Sequence, residues 1–383
     1  MKIDIQAAVL KDTDELLKLY FLVYGRDYPI VYGTDPEKMA EAVQSEDYLW
    51  LTARDSKNDL IVGSIVFELD RGNKVGKAAA LVVHPDYRKS GIGSQLLSHG
   101  NWMIGPEGFL NSIYTTTRTQ SIGPQLICLR EGYLPLGIFP NAHKLKTYET
   151  TTLLVKFKQG VLDTRVPIEK IPEKLVPLYK VVKERLPEIE IPKSAGAVNG
   201  LSKRSKRREA SFEAIFAPHY VFRRFKKEVT DPYSQFYPFH SPNLLLAEEK
   251  GEIEIFAFFN HSDGYCTLIS FNPQMQELED VIPALLDELH SLGVSYVEVL
   301  VGADRLQAVE VMLRSQFLPS ALYPSMREVK GKTYDFVVMT RTMEPLNFRG
   351  IQIEQAFKPY IDQYVNLWKG MYLETLEVFK DYE

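Results

Sequence analysis

Apolar residues along the first 160 positions fall into two rhythms, and the switches between them mark out successive elements. Residues 3–9 alternate with a period of two and read as a short strand. Leu16, Leu17, Leu19, Tyr20 and Val23 then lie on one side of a helix that begins at Asp12-Thr13-Asp14, residue types that cap helix starts. Pro36 opens a second helix through Ala42, in the position where proline is best tolerated. Strands are expected at residues 48–53, 60–69 and 75–83, separated by polar turns at Ser56-Lys57-Asn58-Asp59 and Asp70-Arg71-Gly72-Asn73. Helical spacing returns with Ile92, Leu96, Leu97, Trp102 and Met103. A strand at 113–119, a helix at 124–131 stopped by Gly132, and a strand at 148–157 complete the half. The order β-α-α-β-β-β-α-β-α-β predicts an α/β fold with a mixed sheet.

One junction in this series carries chemistry. The apolar run Ala78-Ala79-Ala80-Leu81-Val82-Val83 passes through His84-Pro85-Asp86-Tyr87 into Arg88-Lys89-Ser90-Gly91-Ile92-Gly93-Ser94, where a helix starts. The first N–H groups of a helix lack carbonyl partners and sit at the positive end of its dipole, so such a junction suits a phosphate. Gly91 and Gly93 let the backbone approach a ligand, and Arg88 and Lys89 add positive charge. The residues do not supply the Gly-x-x-x-x-Gly-Lys-Ser/Thr of a P-loop, and Leu96 stands where a dinucleotide fingerprint needs its third glycine. What remains, Arg-x-x-Gly-x-Gly after a strand and before a helix, resembles the acyl-CoA-binding motif of the GNAT N-acetyltransferase superfamily. The element order over about residues 3–158 matches that family as well.

The resemblance implies acetyl-CoA, or coenzyme A, as co-substrate, with its pyrophosphate on Arg88, Lys89, Ser90, Gly91, Ile92, Gly93 and Ser94. It implies that the fourth and fifth strands splay apart, so that main-chain groups around Leu81, Val82 and Val83 pair with the pantetheine arm. It aligns Ser121 with an asparagine common at the next helix start. It puts Cys128 where the family's tyrosine acid stands, a few residues before Gly132-Tyr133. Cys128 is therefore a candidate acid for the departing thiolate, a buried apolar cysteine being the alternative. The fourth strand carries Lys77 and alanines in place of the family's frequent carboxylate. Glu68 and Asp70 are the nearest acidic candidates to assist amine deprotonation, and His84 has a suitable intrinsic pKa for the same task. Tyr24, Tyr28 and Tyr32 fall where the fold builds its acceptor pocket, and Phe236, Tyr237, Phe239 and His240 are candidates to face the same cleft.

Comparing the chain with itself extends the picture to the second half. Leu81-Val82-Val83-His84-Pro85 has a counterpart in Ile269-Ser270-Phe271-Asn272-Pro273, and Leu129-Arg130-Glu131-Gly132-Tyr133-Leu134-Pro135 in Leu313-Arg314-Ser315-Gln316-Phe317-Leu318-Pro319. The anchors keep their order and similar separations, which predicts a second, degenerate GNAT-like domain, again a mixed β-sheet flanked by helices. Its strands are expected at 244–247, 253–259, 296–301 and 334–340, with a helix at 278–292. Its junction, Pro273 to Asp280, has no glycine, and Glu277, Glu279 and Asp280 would repel a pyrophosphate. The expected organisation is a catalytic domain at 1–158, a Pro-rich and basic linker at 159–211, the degenerate domain at 212–345, and an amphipathic C-terminal helix within 346–383. Residues 212–227 read as helical and 355–379 as the closing helix.

Composition narrows the rest. With 383 residues, 45% hydrophobic and 25% charged, the chain has an ordinary globular profile long enough for two or three domains. A net charge of -5 argues against nucleic acid as a partner, and Lys203-Arg204-Ser205-Lys206-Arg207-Arg208, without an aromatic platform, reads as a solvated loop. Cys128 and Cys266 are too few and too far apart for a disulfide framework or a zinc site, so no metal is expected. No apolar stretch approaches the roughly 20 residues of a membrane span, and the start lacks a signal-peptide core. Together these lead to an expectation of a cytoplasmic acyl-CoA-dependent N-acyltransferase acting directly on a small-molecule amine, with a homodimer left open. The alternative is a non-catalytic acyl-CoA-binding sensor.

Overall fold

The structure, a computed structural model, describes residues 2–25, 28, 30–104, 108–144, 147–196, 208–231 and 235–373. The chain enters through β1 (Ile3–Ala7), α1 (Thr13–Tyr24) and α2 (Pro36–Gln44). It continues with β2 (Tyr48–Asp55), β3 (Leu60–Asp70), β4 (Val75–Val83), α3 (Ile92–Ile104), β5 (Ser112–Arg118), α4 (Gly123–Arg130), β6 (Leu134–Lys144) and β7 (Tyr148–Phe157). Local chemistry explains the helix ends. Asp35 accepts the Glu37 and Lys38 N–H groups ahead of Pro36, and Gly132, at φ +82°, takes the left-handed turn that ends α4. Asp12 does not cap α1 with its side chain. Its carboxylate accepts the Val9 N–H and, with Glu15, holds Arg54 of β2 at 3.0 Å, which docks α1 on the sheet.

The segment after β7 is packed rather than loose. The short parallel pair β8 (Lys170–Pro172) and β9 (Lys193–Ala195) brackets α5 (Val176–Arg185), whose Leu178, Tyr179 and Val182 are fully buried in the main core. The basic run lies outside the described residues except for Arg208, which is ion-paired with Glu248 and Glu252. The second half comprises β10 (Phe212–Ile215), α6 (Pro218–Glu228), β11 (Leu244–Glu248), β12 (Glu254–Asn260), β13 (Tyr265–Asn272), α7 (Ile282–Ser291), β14 (Tyr296–Gly302), α8 (Leu306–Arg314), β15 (Leu318–Val329) and β16 (Lys332–Thr342). The helix expected over 212–227 is thus a strand and a helix. Pro218 starts α6 at its first position, and Phe212–Ile215 instead pair with β11. A last helix, α9 (Lys358–Tyr372), packs on β15 and α5.

Among the described residues, fourteen strands form one mixed sheet in the order β1-β2-β3-β4-β5-β7-β6-β15-β16-β14-β13-β12-β11-β10, with helices packed against it. Read from either edge, seven strands follow the same order, with the fourth and fifth parallel and every other neighbouring pair antiparallel. Backbone irregularities repeat as well. Gly132 and Gln316 have positive φ after α4 and α8, and Asn141 and Ser325 have positive φ inside β6 and β15. The two sevens meet where β6 pairs with β15 at Gly137 and Ala321.

The contact is tight. A Cβ on Gly137 would stand 2.2 Å from the Ala321 Cβ and 2.6 Å from the Ser320 carbonyl oxygen. Gly137→Ala should therefore push the halves apart and cost about 1–3 kcal/mol, as overpacked core sites do. Urea unfolding checks this, and a variant as stable as the parent would mean that the seam is loose.

Candidate functional site

The strand-to-helix junction forms as its residues suggest. After β4, Pro85–Tyr87 make a single tight turn, Lys89 and Gly91 take positive φ (64° and 86°), and α3 starts at Ile92. Arg88, Lys89, Ser90 and Gly91 are exposed, whereas Ile92 and Gly93, which open α3, are buried. Gly93 is buried where α3, α4 and β4 converge. A Cβ there would come within 3.2 Å of the Ile127 side chain and 3.7 Å of that of Leu81. Gly91 has open space around it, its nearest neighbour being Gln95 at 3.7 Å, so its glycine is required by φ alone.

Beside the junction the sheet opens. β4 and β5 pair only at Val75–Ser112, Gly76–Ile113 and Lys77–Tyr114, and the strands then diverge although β4 continues to Val83. The His84 N–H bonds the Val62 carbonyl on β3, and Val82 pairs with Ser64 on the same edge. By the alternation of backbone direction, Leu81 and Val83 turn their main-chain groups toward the gap. A bulge at Ala80, with φ 54°, offsets this stretch from the paired stretch below it. Two tyrosines of α1 fix the bulge, since the Tyr20 hydroxyl donates to the Ala80 carbonyl and that of Tyr24 to the Leu81 carbonyl, both at 2.7 Å. Among the described residues, the Leu81 and Val83 N–H groups and the Val83 carbonyl have no partner across the gap.

The closed end of the gap carries the charged groups. Strand register sets Tyr48, Glu68, Lys77 and Tyr114 side by side in one row across β2, β3, β4 and β5, all on the same face. Glu68 accepts the Tyr32 hydroxyl at 3.1 Å and lies 3.5 Å from the Lys77 ammonium. Tyr24 and Tyr28 stack with centroids 4.2 Å apart, and Tyr32 meets Tyr48 and Trp50 edge-on. From the second half, Phe239 reaches across, its ring 5.9 Å from both the Tyr114 ring and the Lys77 ammonium. Burial, followed by the Glu68 charge, holds the Tyr32 and Tyr114 phenols well above their usual range. All of these side chains except Trp50 are partly exposed, which leaves one carboxylate and one ammonium in an aromatic surround that solvent reaches.

Comparison with known proteins bears on this half of the chain. A family model described as an acetyltransferase (GNAT) domain matches residues 45–126, from the strands of the charged row to the start of α4. Residues 45–126 thus resemble a GNAT acetyltransferase domain. Among solved structures, the chain is similar to an acetyltransferase of the GNAT family from Streptococcus pneumoniae, with 20% identity over 41% of this chain and 99% of that one, at a TM-score of 0.36. It is also similar to a GNAT superfamily phosphinothricin acetyltransferase from Sinorhizobium meliloti in complex with AcCoA, with 18% identity over 41% of this chain and 89% of that one, at a TM-score of 0.35. A putative acetyltransferase from Salmonella typhimurium, solved with its cofactor acetyl-CoA, gives 13% identity over 42% and 95%, at a TM-score of 0.35. No curated protein matches the chain.

Within the GNAT domain the structure sorts the residues singled out from sequence. Glu68 joins the cleft, while Leu81, Val83 and residues 88–93 line the gap and its mouth. Val82 does not, because its main chain is turned to β3 and its side chain is buried beneath α1. Ile92 packs toward Gly63 and can offer only its N–H. The Ser94 hydroxyl donates to Glu131 at 3.3 Å, and the Ser121 hydroxyl accepts the Gly123 N–H at 3.3 Å in the turn before α4. The His84 Nδ1 accepts the Asp86 N–H at 3.3 Å and caps the tight turn, so this lone pair is not available to an amine. Cys128 is buried in the main core, where burial and then the Glu131 charge push its thiol up to about 12. A thiol that holds its proton so firmly is poorly matched to a thiolate whose ordinary pKa is about 8.5. Tyr24 and Tyr28, for which local packing is the slightly favoured expectation over an acceptor pocket, stack on one another, with Tyr20 against Tyr28.

The second half places different groups at its corresponding junction. The chain from Pro273 to Asp280 contains a tight turn at Met275–Glu277 and α7 begins only at Ile282, while Glu279 pairs with Arg314 at 2.8 Å. Missed from sequence is a buried carboxylate, Glu298 on β14, which accepts hydroxyls from Tyr237, Tyr265 and Tyr296 and whose pKa is raised by burial. A lone Glu inside the apolar run Tyr296–Gly302 was the available signal. His240 lies beside this cluster, between Tyr237 and Phe258, with Nδ1 3.1 Å from the Pro238 carbonyl and Nε2 3.4 Å from the Tyr265 hydroxyl.

Burial, and then Lys77, lowers the His240 pKa to about 3. The unfolded chain therefore binds the proton more readily, and stability present above pH 6.5 is lost as the pH falls toward 3. Between pH 7.5 and 5 this amounts to about 2 kcal/mol. His240→Phe should flatten that part of the stability profile in urea melts, and an unchanged slope would place the titrating group elsewhere.

Proposed function

We propose that the GNAT domain transfers an acetyl group from acetyl-CoA directly to the amine of a small molecule. The observation that carries the reading is the continuity of three features: an exposed phosphate-type helix start, an unpaired strand edge leading inward from it, and a carboxylate-bearing cleft at the inner end. The residues fit the co-substrate chemically. Arg88, Lys89 and the amides from Gly91 to Gly93 would hold the pyrophosphate, and the free groups of Leu81 and Val83 would pair with the amides of the pantetheine arm. An N–H on the bulged strand would stabilise the negative charge that builds on the thioester oxygen during attack.

An amine of the lysine type has a pKa near 10.4 and arrives protonated, so a proton must leave before attack. Glu68, the carboxylate in the cleft, is the group assigned to take it, directly or through one water. Attack then forms the amide C–N bond, the nitrogen gives up its second proton to solvent, the C–S bond breaks, and the thiolate departs. With the Cys128 proton held too firmly, solvent supplies the proton that the thiolate gains. The same firmness argues against a covalent acetyl-Cys128 intermediate, since the thiolate is the nucleophile. The second half is assigned as a degenerate copy that walls the acceptor cleft with Phe239 and fills the β6 edge, where a separate subunit could otherwise pair. Among the described residues, no helix is long and apolar enough to cross a membrane, and both cysteines are free, which supports a reducing, cytoplasmic setting.

Isothermal titration of the full chain with acetyl-CoA tests the co-substrate assignment. One site per chain is expected. Two sites, or none, would overturn the division of roles between the halves.

A further inference from the structure

We propose that the acceptor is a zwitterion, an amine bearing an α-carboxylate, with its ammonium held by Glu68 and its carboxylate by Lys77. The inference rests on the acyl-transfer reading above and specifies its substrate class. Lys77 and Glu68 are neighbours on adjacent strands with their charged ends in the cleft, yet they are not locked together. Their separation is 3.5 Å, whereas Arg118–Glu149 and Arg165–Asp335 close to 2.6 Å. Charge-assisted bonds at their optimum measure 2.7–2.9 Å, so this pair retains bonding capacity on both sides. Both side chains touch solvent, at 26% and 13% exposure. The next residue of the row, Tyr114, has a hydroxyl with no hydrogen-bond partner among the described residues, one strand from Lys77 on the side of the gap. An anion at Lys77 would gain that donor too.

The spacing selects among amines. The two head groups stand 3.5 Å apart, close enough for an ammonium and a carboxylate separated by one carbon to bridge both. A diamine or polyamine would bring its second cation against Lys77 and be repelled. A plain alkylamine would leave Lys77 on Glu68 and compete with it. The N-terminus of a polypeptide has an ammonium and no carboxylate beside it. Lys77 also occupies the last paired row before β4 and β5 diverge, so a zwitterion held there lies at the inner end of the gap. Tyr28, Tyr32 and Phe239 supply the walls for a compact side chain.

The test uses the full chain with acetyl-CoA and matched acceptors, each L-amino acid against the amine formed by removing its carboxylate. Release of free thiol gives kcat/KM, and calorimetry in the presence of CoA gives acceptor affinity. The inference expects at least one amino acid to surpass its decarboxylated partner by tenfold or more. It expects Lys77→Met to abolish that advantage with the acetyl-CoA Kd unchanged, and Lys77→Arg to restore most of it. If acetyl-CoA binds and amines are acetylated with no benefit from the carboxylate, the inference is overturned while the acyl-transfer reading stands. If acetyl-CoA does not bind, both fall. If acetyl-CoA binds without turnover, Lys77-dependent binding of an amino acid sustains the inference, and its absence overturns it.

Discussion

Gly91→Glu is expected to leave the chain folded and to weaken acetyl-CoA binding at least 100-fold. The folded chain tolerates the change because nothing crowds the site, and the nearest atom to a new Cβ is 3.7 Å away on a flexible glutamine. The cost is conformational, since φ +86° is left-handed and penalises a side chain by about 1–2 kcal/mol. That is a fraction of the 5–15 kcal/mol typical of a folded domain. The loss of binding has a separate cause. The new carboxylate projects from the exposed turn next to Arg88 and Lys89, cancels part of their charge and repels the pyrophosphate. Gly91→Ala carries the strain without the charge and should therefore weaken binding less. Titration calorimetry with circular dichroism on the same samples separates the two effects, and unchanged affinity in Gly91→Glu would remove the junction from the binding site.

Glu68→Gln is expected to lower kcat about 100-fold while the acetyl-CoA Kd stays within twofold of the parent, a loss at the low end of what a general base contributes. The amide keeps the shape of the carboxylate and can still accept the Tyr32 hydroxyl bond seen at 3.1 Å. It cannot take a proton from an ammonium, and it leaves Lys77 without its counter-charge. If the proton leaves through Glu68, the deficit should shrink as the pH rises toward the amine's own pKa, because an increasing share of the acceptor is then already neutral. A variant that retains more than half of the parental kcat at pH 7 would rule Glu68 out of that role.

What could be read from sequence was what local chemistry controls. The turn from Arg88 to Gly93 announced itself because positive φ and close approach demand glycine, and Glu68 as a carboxylate near a fourth strand that carries none. β6 and β15 were harder to locate. Each contains two prolines, at 135 and 140 and at 319 and 324, and register shifts that break the period of two. Residues 212–215 read as helix because their spacing suited one, and only pairing with β11 makes them a strand. Cys128 was placed by its distance from Gly132, which fixes a position on α4 but not whether the thiol meets water. The reach of Phe239 over Lys77, and the three tyrosines on Glu298, depend on how two seven-stranded halves meet at Gly137 and Ala321. No local pattern encodes that meeting.

The account turns on whether the cleft beside the splayed strands completes acyl transfer or only follows acyl-CoA binding. Free thiol release from acetyl-CoA, measured for the full chain with and without a panel of small amines and amino acids, decides it. The account predicts release that depends on the acceptor, saturates with it, and disappears in Gly91→Glu. Tight binding of acetyl-CoA with no acceptor-dependent release would contradict it and leave a sensor of acyl-CoA in its place.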